Sequence, residues 1–329
     1  MRIRLADYVA DFLVSHGVTD VFSVVGGGAM HLNDALGHNE GLKVTYNHHE
    51  QACTIAAEGY TRQTGKIAPV CVTGGPGGTN AITGVFGAYV DSIPMFVVTG
   101  QAKRETTVWS TNLPLRQLGD QEVNITSAVS TMTKYAKMIT DPMSIRKEVE
   151  KAWFLMLNGR PGPVWLDIPG DVASTFIETD DLEGFDKQGY IDEHWASFNQ
   201  DNPVYDEQYT KDVLAKIKEA KRPVILAGTA IRHAGQQSEF IKCIDKLGIP
   251  VVTAWDAHDI IWDEHPLYCG RPGTVGTRAG NFIVQNADLL IVLGCRMNIR
   301  MIGYNFGDFG KNAYKIVVDI DDAELNKPT

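Results

Sequence analysis

Several common signatures are missing from this 329-residue chain, and each absence closes off a class of function. No run is long enough and apolar enough to span a bilayer. No basic run stands out either: 30 lysines and arginines are outnumbered by 40 acidic residues, so nucleic acid and anionic membrane are poor partners. The five cysteines, Cys53, Cys71, Cys243, Cys269 and Cys295, form no Cys-x-x-Cys pair, and most lie in or beside apolar segments. They read as reduced core thiols. The stretch Met1 to Gly17 interrupts its apolar residues with charges, which reads as an amphipathic helix and not a signal peptide. A cytoplasmic protein is the expectation. There is no tandem repeat and no low-complexity tract.

What is present is alternation. Apolar strand candidates at Asp20 to Val25, Val44 to His49, Pro69 to Thr73, Met95 to Thr99, Met132 to Met138 and Val164 to Ile168 alternate with helical stretches. Those stretches are Leu5 to His16, Met30 to Leu36, Gln51 to Gln63, Asn80 to Tyr89 and Met143 to Leu157. A second block repeats the scheme. Its strands are Pro223 to Ala227, Pro250 to Ala254, Asp288 to Gly294 and Lys315 to Asp319. Its helices are Asp206 to Ala220, Gln236 to Leu247 and Arg278 to Asn286. This pattern predicts an α/β protein of two doubly wound parallel-sheet domains. The boundaries are a first domain over 1–177, an acidic, aromatic linker over 178–203, and a second domain over 204–329.

Two strand-to-helix junctions of the first block carry the chemistry, because open α/β sheets keep their ligands at the carboxyl ends of strands. Glu50 ends the strand-like Val44 to His49 and opens a helix whose Ala52, Ile55, Ala56 and Gly59 share a face. A carboxylate there either meets a ligand or merely complements the helix dipole, worth ~0.3–1 kcal/mol. At the next junction a strand runs into Gly74, Gly75, Pro76, Gly77, Gly78, Thr79 and Asn80. Four glycines let the backbone approach something flat or anionic. No Lys-Ser/Thr follows them, which excludes a Walker loop. Asn80 stands where the dinucleotide fingerprint needs its third glycine. His48 and His49 are adjacent on a strand, point to opposite faces and lack metal-site spacing.

Together the junctions resemble the pyrimidine-binding domain of thiamine-diphosphate enzymes, in their acetolactate synthase-like branch. His49, Glu50, Gln51 and Ala52 match that branch's H-E-Q-A, with Cys53 in the last place. Thr73, Pro76, Gly77, Thr79 and Asn80 match its T-S-G-P-G-x-T-N loop, without the Ser. Ala88, Tyr89 and Asp91 to Pro94 match A-Y-x-D-S-I-P, and Thr99, Gly100 and Gln101 match T-G-Q. Thr133 and Lys134, then Gly159 to Pro169, continue the series. The resemblance makes the second domain the family's Rossmann-like central domain.

The resemblance implies thiamine diphosphate as cofactor and a 2-oxo acid such as pyruvate as substrate. Glu50 would bond the cofactor's pyrimidine from a largely dry pocket and so activate it. The 2-oxo acid then loses CO₂ and the remaining fragment joins a second carbonyl. Gln101 would lie near the substrate, giving Glu50 and Gln101 as the catalytic pair. Val25, Gly26, Thr73, Pro76, Gly77 and Asn80 would line the cofactor with Glu50; Asn80 is also placed to cap the next helix. Family decarboxylases often carry His-His after the strand ending here at Gln101. Ala102 to Gln121 holds no His, which favours carboligation.

Lys134, Arg296 and Arg300 match positions that touch FAD in flavin-bearing relatives. Val25-Gly26-Gly27 replaces the usual P-G-G, Gly228-Thr229-Ala230 replaces G-G-G, and Asp256 to Asp259 replaces M-G-K-G, so FAD stays open. The sequence Asp319 to Thr329 resembles the end of the central domain. A third domain binding the diphosphate and Mg²⁺ is expected beyond it, making this chain about two-thirds of an enzyme. A homodimer or homotetramer is expected, with Ala52, Ala56, Gly59, Gly84 and Gly87 allowing helices to approach across a two-fold axis. The alternatives are a non-catalytic or split-gene subunit and, from another class, a nucleotide-binding Rossmann protein.

Overall fold

The computed structural model describes residues 1–198 and 207–329, and the chain separates into two compact units, Met1–Phe198 and Asn199–Thr329. The first unit has strands β1 (Arg2–Arg4), β2 (Asp20–Ser23), β3 (Lys43–Tyr46), β4 (Val70–Val72), β5 (Met95–Gln101), β6 (Tyr135–Met138), β7 (Pro163–Pro169) and β8 (Phe176–Glu178). β2 to β7 form one parallel sheet in the order β3-β2-β4-β5-β7-β6. β5 and β7 pair from Met95↔Pro163 to Gln101↔Pro169, and every residue of both is buried. Their near-continuous apolar run is what a strand covered on both faces requires. The period of two then sorts β5: Phe96 and Val98 face one core, Met95 and Val97 the other.

Four helices position the site: α1 (Leu5–Ser15), α2 (Met30–His38), α3 (Glu50–Thr64) and α4 (Pro76–Val90). α1, α2 and the later helix Ile145–Leu157 cover one face through Leu13, Leu32 and Met156. α3 and α4 cover the other through Cys53, Ala57, Ala81, Val85 and Ala88. The chain passes from β2 to the edge strand β3 and then returns across β2 to β4. This reversal opens a crevice between the carboxyl ends of β2 and β4.

Three features depart from the sequence reading. α4 starts at Pro76, not Asn80, because proline suits the first helical position and Gly75, at φ +59°, turns the chain into it. β1 and β8 form an unforeseen antiparallel ribbon, Arg2↔Glu178 to Arg4↔Phe176. Finally, the stretch read as a linker is structured over its described part. β8 ends at Glu178, a 3₁₀ turn covers Thr179–Asp181 and a helix spans Lys187–Phe198. Its aromatic content explains this: Tyr190 packs edge-on against Phe154 and beside Phe185, and Lys151 sits over the Tyr190 ring. Residues 199–203 of that stretch, and 204–206 of the expected second domain, lie outside the described residues.

The second unit holds β9 (Pro223–Ala227), β10 (Val251–Thr253), β11 (Leu289–Leu293) and β12 (Tyr314–Val318) in the parallel order β10-β9-β11-β12. Helices Glu207–Glu219, Gln237–Leu247 and Arg278–Asn286 alternate with them, and Leu226, Ile244, Val252, Val284 and Leu290 form the core. The α/β class with parallel sheets is therefore as the alternation implied.

Candidate functional site at the carboxyl ends of the first sheet

Glu50 is the first residue of α3. His49 caps that helix, its Nδ1 accepting from the Gln51 amide at 3.1 Å, so this histidine has a structural task. Glu50 Oε2 accepts a hydrogen bond from Asn80 Nδ2 at 3.0 Å. Asn80 reaches it from the second turn of α4, and so serves as a partner for Glu50 and not as a helix cap. The Glu50 side chain is half-buried in the chain on its own and does not sit in a dry pocket.

The glycines beside Glu50 let the main chain pack closely around Thr73. A Cβ added to Gly77 would lie 2.8 Å from Thr73 Cγ2 and 3.4 Å from Glu50 Oε1; one added to Gly26 would lie 2.5 Å from Thr73 Cβ. Thr73 presses its methyl toward both, while its hydroxyl accepts from the Gly28 amide at 3.1 Å. Pro76 and Val25, the chain neighbours of Gly77 and Gly26, are exposed. The structure thus brings Glu50, Thr73, Gly77 and Asn80 together, with Gly26 against Thr73. A half-buried carboxylate beside glycine main chain can bond a flat ring bearing a basic nitrogen.

Gln101 lies elsewhere. Only 2 % exposed, its side chain faces inward: Nε2 donates to Asp167 Oδ2 and to the Val123 carbonyl, both at 2.9 Å, and Oε1 accepts from the Ala102 amide. Asp167, on β7 and fully buried, accepts from Thr99 Oγ1 at 2.7 Å, and Trp165 Nε1 donates in turn to that hydroxyl. Burial raises the Asp167 pKa to about 7, against the pull of the Thr99 and Gln101 bonds. Reading motifs alone missed Asp167 as a key residue. Its signal was one acid inside a seven-residue buried strand, which must find partners.

An open cleft of about 810 Å³ extends from this floor, lined by Gly28, His31, Thr73, Gln101, Lys103 and Gln121 among others. Its base is main chain. A Cβ on Gly100 would fall 2.1 Å from the Gly28 carbonyl oxygen, and one on Gly74 would fall 2.6 Å from the Gly100 oxygen. Two buried polar residues brace it and were also unforeseen. Asn33 donates to Ser23 Oγ at 2.9 Å and accepts from the Gly26 amide; Ser23 donates to the Cys71 carbonyl.

The three residues expected at a flavin are spread over both units. Lys134, immediately before β6, is half-buried, donates to the Asn158 carbonyl, and has its pKa lowered to about 8 by burial. Arg296 and Arg300 are exposed in the second unit, where Arg300 lies over the Trp255 ring. Among the described residues no cluster of three His, Cys, Asp or Glu side chains could hold a metal ion, and no helix is long and apolar enough to cross a membrane.

With the sheet order and the junction residues placed, comparison with known proteins gives the family. Residues 3–127 match the thiamine pyrophosphate enzyme N-terminal TPP binding domain, and residues 210–329 match the central domain of the same enzymes. The chain belongs to the thiamine pyrophosphate enzyme family. It is 34 % identical over 311 residues to the acetolactate synthase large subunit of Lactococcus lactis, covering 94 % of this chain and 51 % of that one. It is 33 % identical over 329 residues to acetolactate synthase isozyme 1 large subunit of Escherichia coli (99 % and 54 %). To chloroplastic acetolactate synthase 1 of Zea mays it is 32 % identical over 325 residues (98 % and 48 %). The chain spans about half the length of the curated relatives it matches.

Proposed function

We propose that this chain supplies the pyrimidine-binding part of a thiamine-diphosphate-dependent carboligase, acetolactate synthase-like, that takes pyruvate or a similar 2-oxo acid. The carrying observation is the Glu50 carboxylate at the head of α3, held by Asn80 beside the glycine main chain of Gly26 and Gly77 packed on Thr73. When bound, the cofactor supplies an electron sink for the carbon that loses CO₂. The chain's residues orient it. Glu50 holds a proton at the pyrimidine ring nitrogen, Asn80 fixes the carboxyl plane, and Gly26 and Gly77 offer the ring main chain without side chains. Val25 and Pro76 border the opening. Gln101, with its amide committed internally, acts by positioning and not by touching substrate.

The proposal assigns the diphosphate and Mg²⁺ to protein outside the described residues, and does not extend to FAD. It includes a homodimer, because α3 and α4 leave Ile55, Phe86 and Tyr89 exposed beside half-buried Glu50. A second chain laid there would dry the carboxyl. Gly84 and Gly87 also let α3 and α4 approach within the chain: a Cβ on Gly84 would meet Thr54 Oγ1 at 2.2 Å and one on Gly87 would meet Glu58 Oε2 at 3.3 Å. Five free cysteines suit a reducing, cytoplasmic setting.

The test is Glu50→Gln in the complete enzyme. The amide keeps size but cannot relay a proton, so exchange at the cofactor's C2 and release of CO₂ from pyruvate should fall ~10²–10⁴-fold. Exchange equal to wild type would remove Glu50 from the mechanism.

A further inference from the structure

The segment 102–124 has little regular structure beyond two 3₁₀ turns, yet Ala102, Lys103, Thr106, Asp120 and Gln121 from it line the cleft. Such a segment must be pinned to hold a ligand surface in shape. Gln101 pins it at both ends. Its Oε1 accepts from Ala102 at the start, and its Nε2 donates to Val123 at the finish, 22 residues on. The remaining Nε2 proton goes to Asp167. All three bonds demand one orientation of the amide; a flipped amide would break each of them.

Asp167 enforces that orientation. Its Oδ1 is taken by Thr99, whose own hydroxyl oxygen accepts from Trp165, so the Thr99 proton points at Asp167. Oδ2 is left to face Gln101 as an acceptor. The acid is 0 % exposed on β7, which is paired on both sides by β5 and β6, so water cannot substitute for either partner. A second pin supports the middle of the loop: buried Glu122 accepts from the amides of Val108, Leu118 and Gly119.

We propose that Asp167 is a positioning residue, whose buried carboxyl fixes the Gln101 amide so that Gln101 staples both ends of the loop lining the cleft. Asp167 touches no ligand; it acts through Gln101.

Native-state hydrogen exchange of the 329-residue chain tests this, comparing the peptide over 102–124 with one over β7 as an internal reference. Gln101→Leu should raise loop exchange about tenfold, as expected for two lost hydrogen bonds, with β7 protected. Asp167→Leu should raise loop exchange in the wild type but add nothing once Gln101 is leucine. Such non-additivity is what a purely structural role would not give. Additive effects, or a loop indifferent to Gln101→Leu, would overturn the proposal. Should either leucine prevent folding, Asp167→Asn and Gln101→Met go through the same cycle with the same two readings.

Discussion

At the residue scale the close packing on Thr73 depends on what is absent at Gly26 and Gly77. Gly77 has its nearest neighbour in the Thr73 methyl, at 2.8 Å from an added Cβ. Gly77→Ala should therefore cost roughly 1–3 kcal/mol by overpacking. Thr73→Ser in the same chain removes that methyl and keeps the hydroxyl for the Gly28 amide. The double variant should regain most of the loss, and urea denaturation of the single and double variants measures it. Two costs that simply add would mean that Gly77 is tight against something else. Buried polar residues matter as much here. Ser23, Asn33 and Asp167 each sit where an apolar side chain would pack, and each is matched by partners on neighbouring strands.

At the element scale, α3 and α4 are amphipathic in an unusual sense: both their inner and outer faces carry apolar residues. Cys53, Ala57, Val85 and Ala88 face the sheet, while Ile55 and Phe86 face outward. A charge on the outer face should break assembly and leave the fold alone. Phe86→Asp is expected to shift the protein from dimer to monomer in light scattering without lowering its thermal midpoint by more than a few degrees. An unchanged mass would place the interface elsewhere. Elements of this kind were legible in the sequence because their periodicity is local. β9 and the helix Arg278–Asn286 fall where the pattern put them. The ribbon of β1 with β8 was not legible, since each strand has three residues and its partner lies more than 170 positions away. The start of α4 was misjudged because glycines mask a helix whose proline opens it. Of the candidate site, Glu50, Thr73, Gly77 and Asn80, which the fold brings together, had been named by motif order. The inward turn of Gln101 could not, because it depends on Asp167 across a strand pairing that only the folded sheet sets.

For the whole molecule, Asp167 ties stability to pH. Its folded pKa is raised to about 7, so the native state holds a proton that the unfolded chain has already released above its ordinary ~4. This contribution is full below the unfolded value and is lost as pH rises through about 7. Asp34 runs the other way: the Arg4 bond lowers its pKa, so its contribution is present above the ordinary carboxylate range and is lost in acid. Urea denaturation at pH 5 and pH 8 should show wild type losing roughly 2–3 kcal/mol relative to Asp167→Asn over that interval. Parallel pH curves for the two proteins would mean that the acid stays ionised when folded. The glycine floor of the cleft has a different consequence, one for descent. Where Gly28, Gly74 and Gly100 meet main chain to main chain, no side chain exists to be exchanged. A lineage that took up a new ligand would have to keep this base and rewrite the walls, at positions such as Met30, His31, Lys103 and Gln121. Novelty in such a protein is confined to its rim.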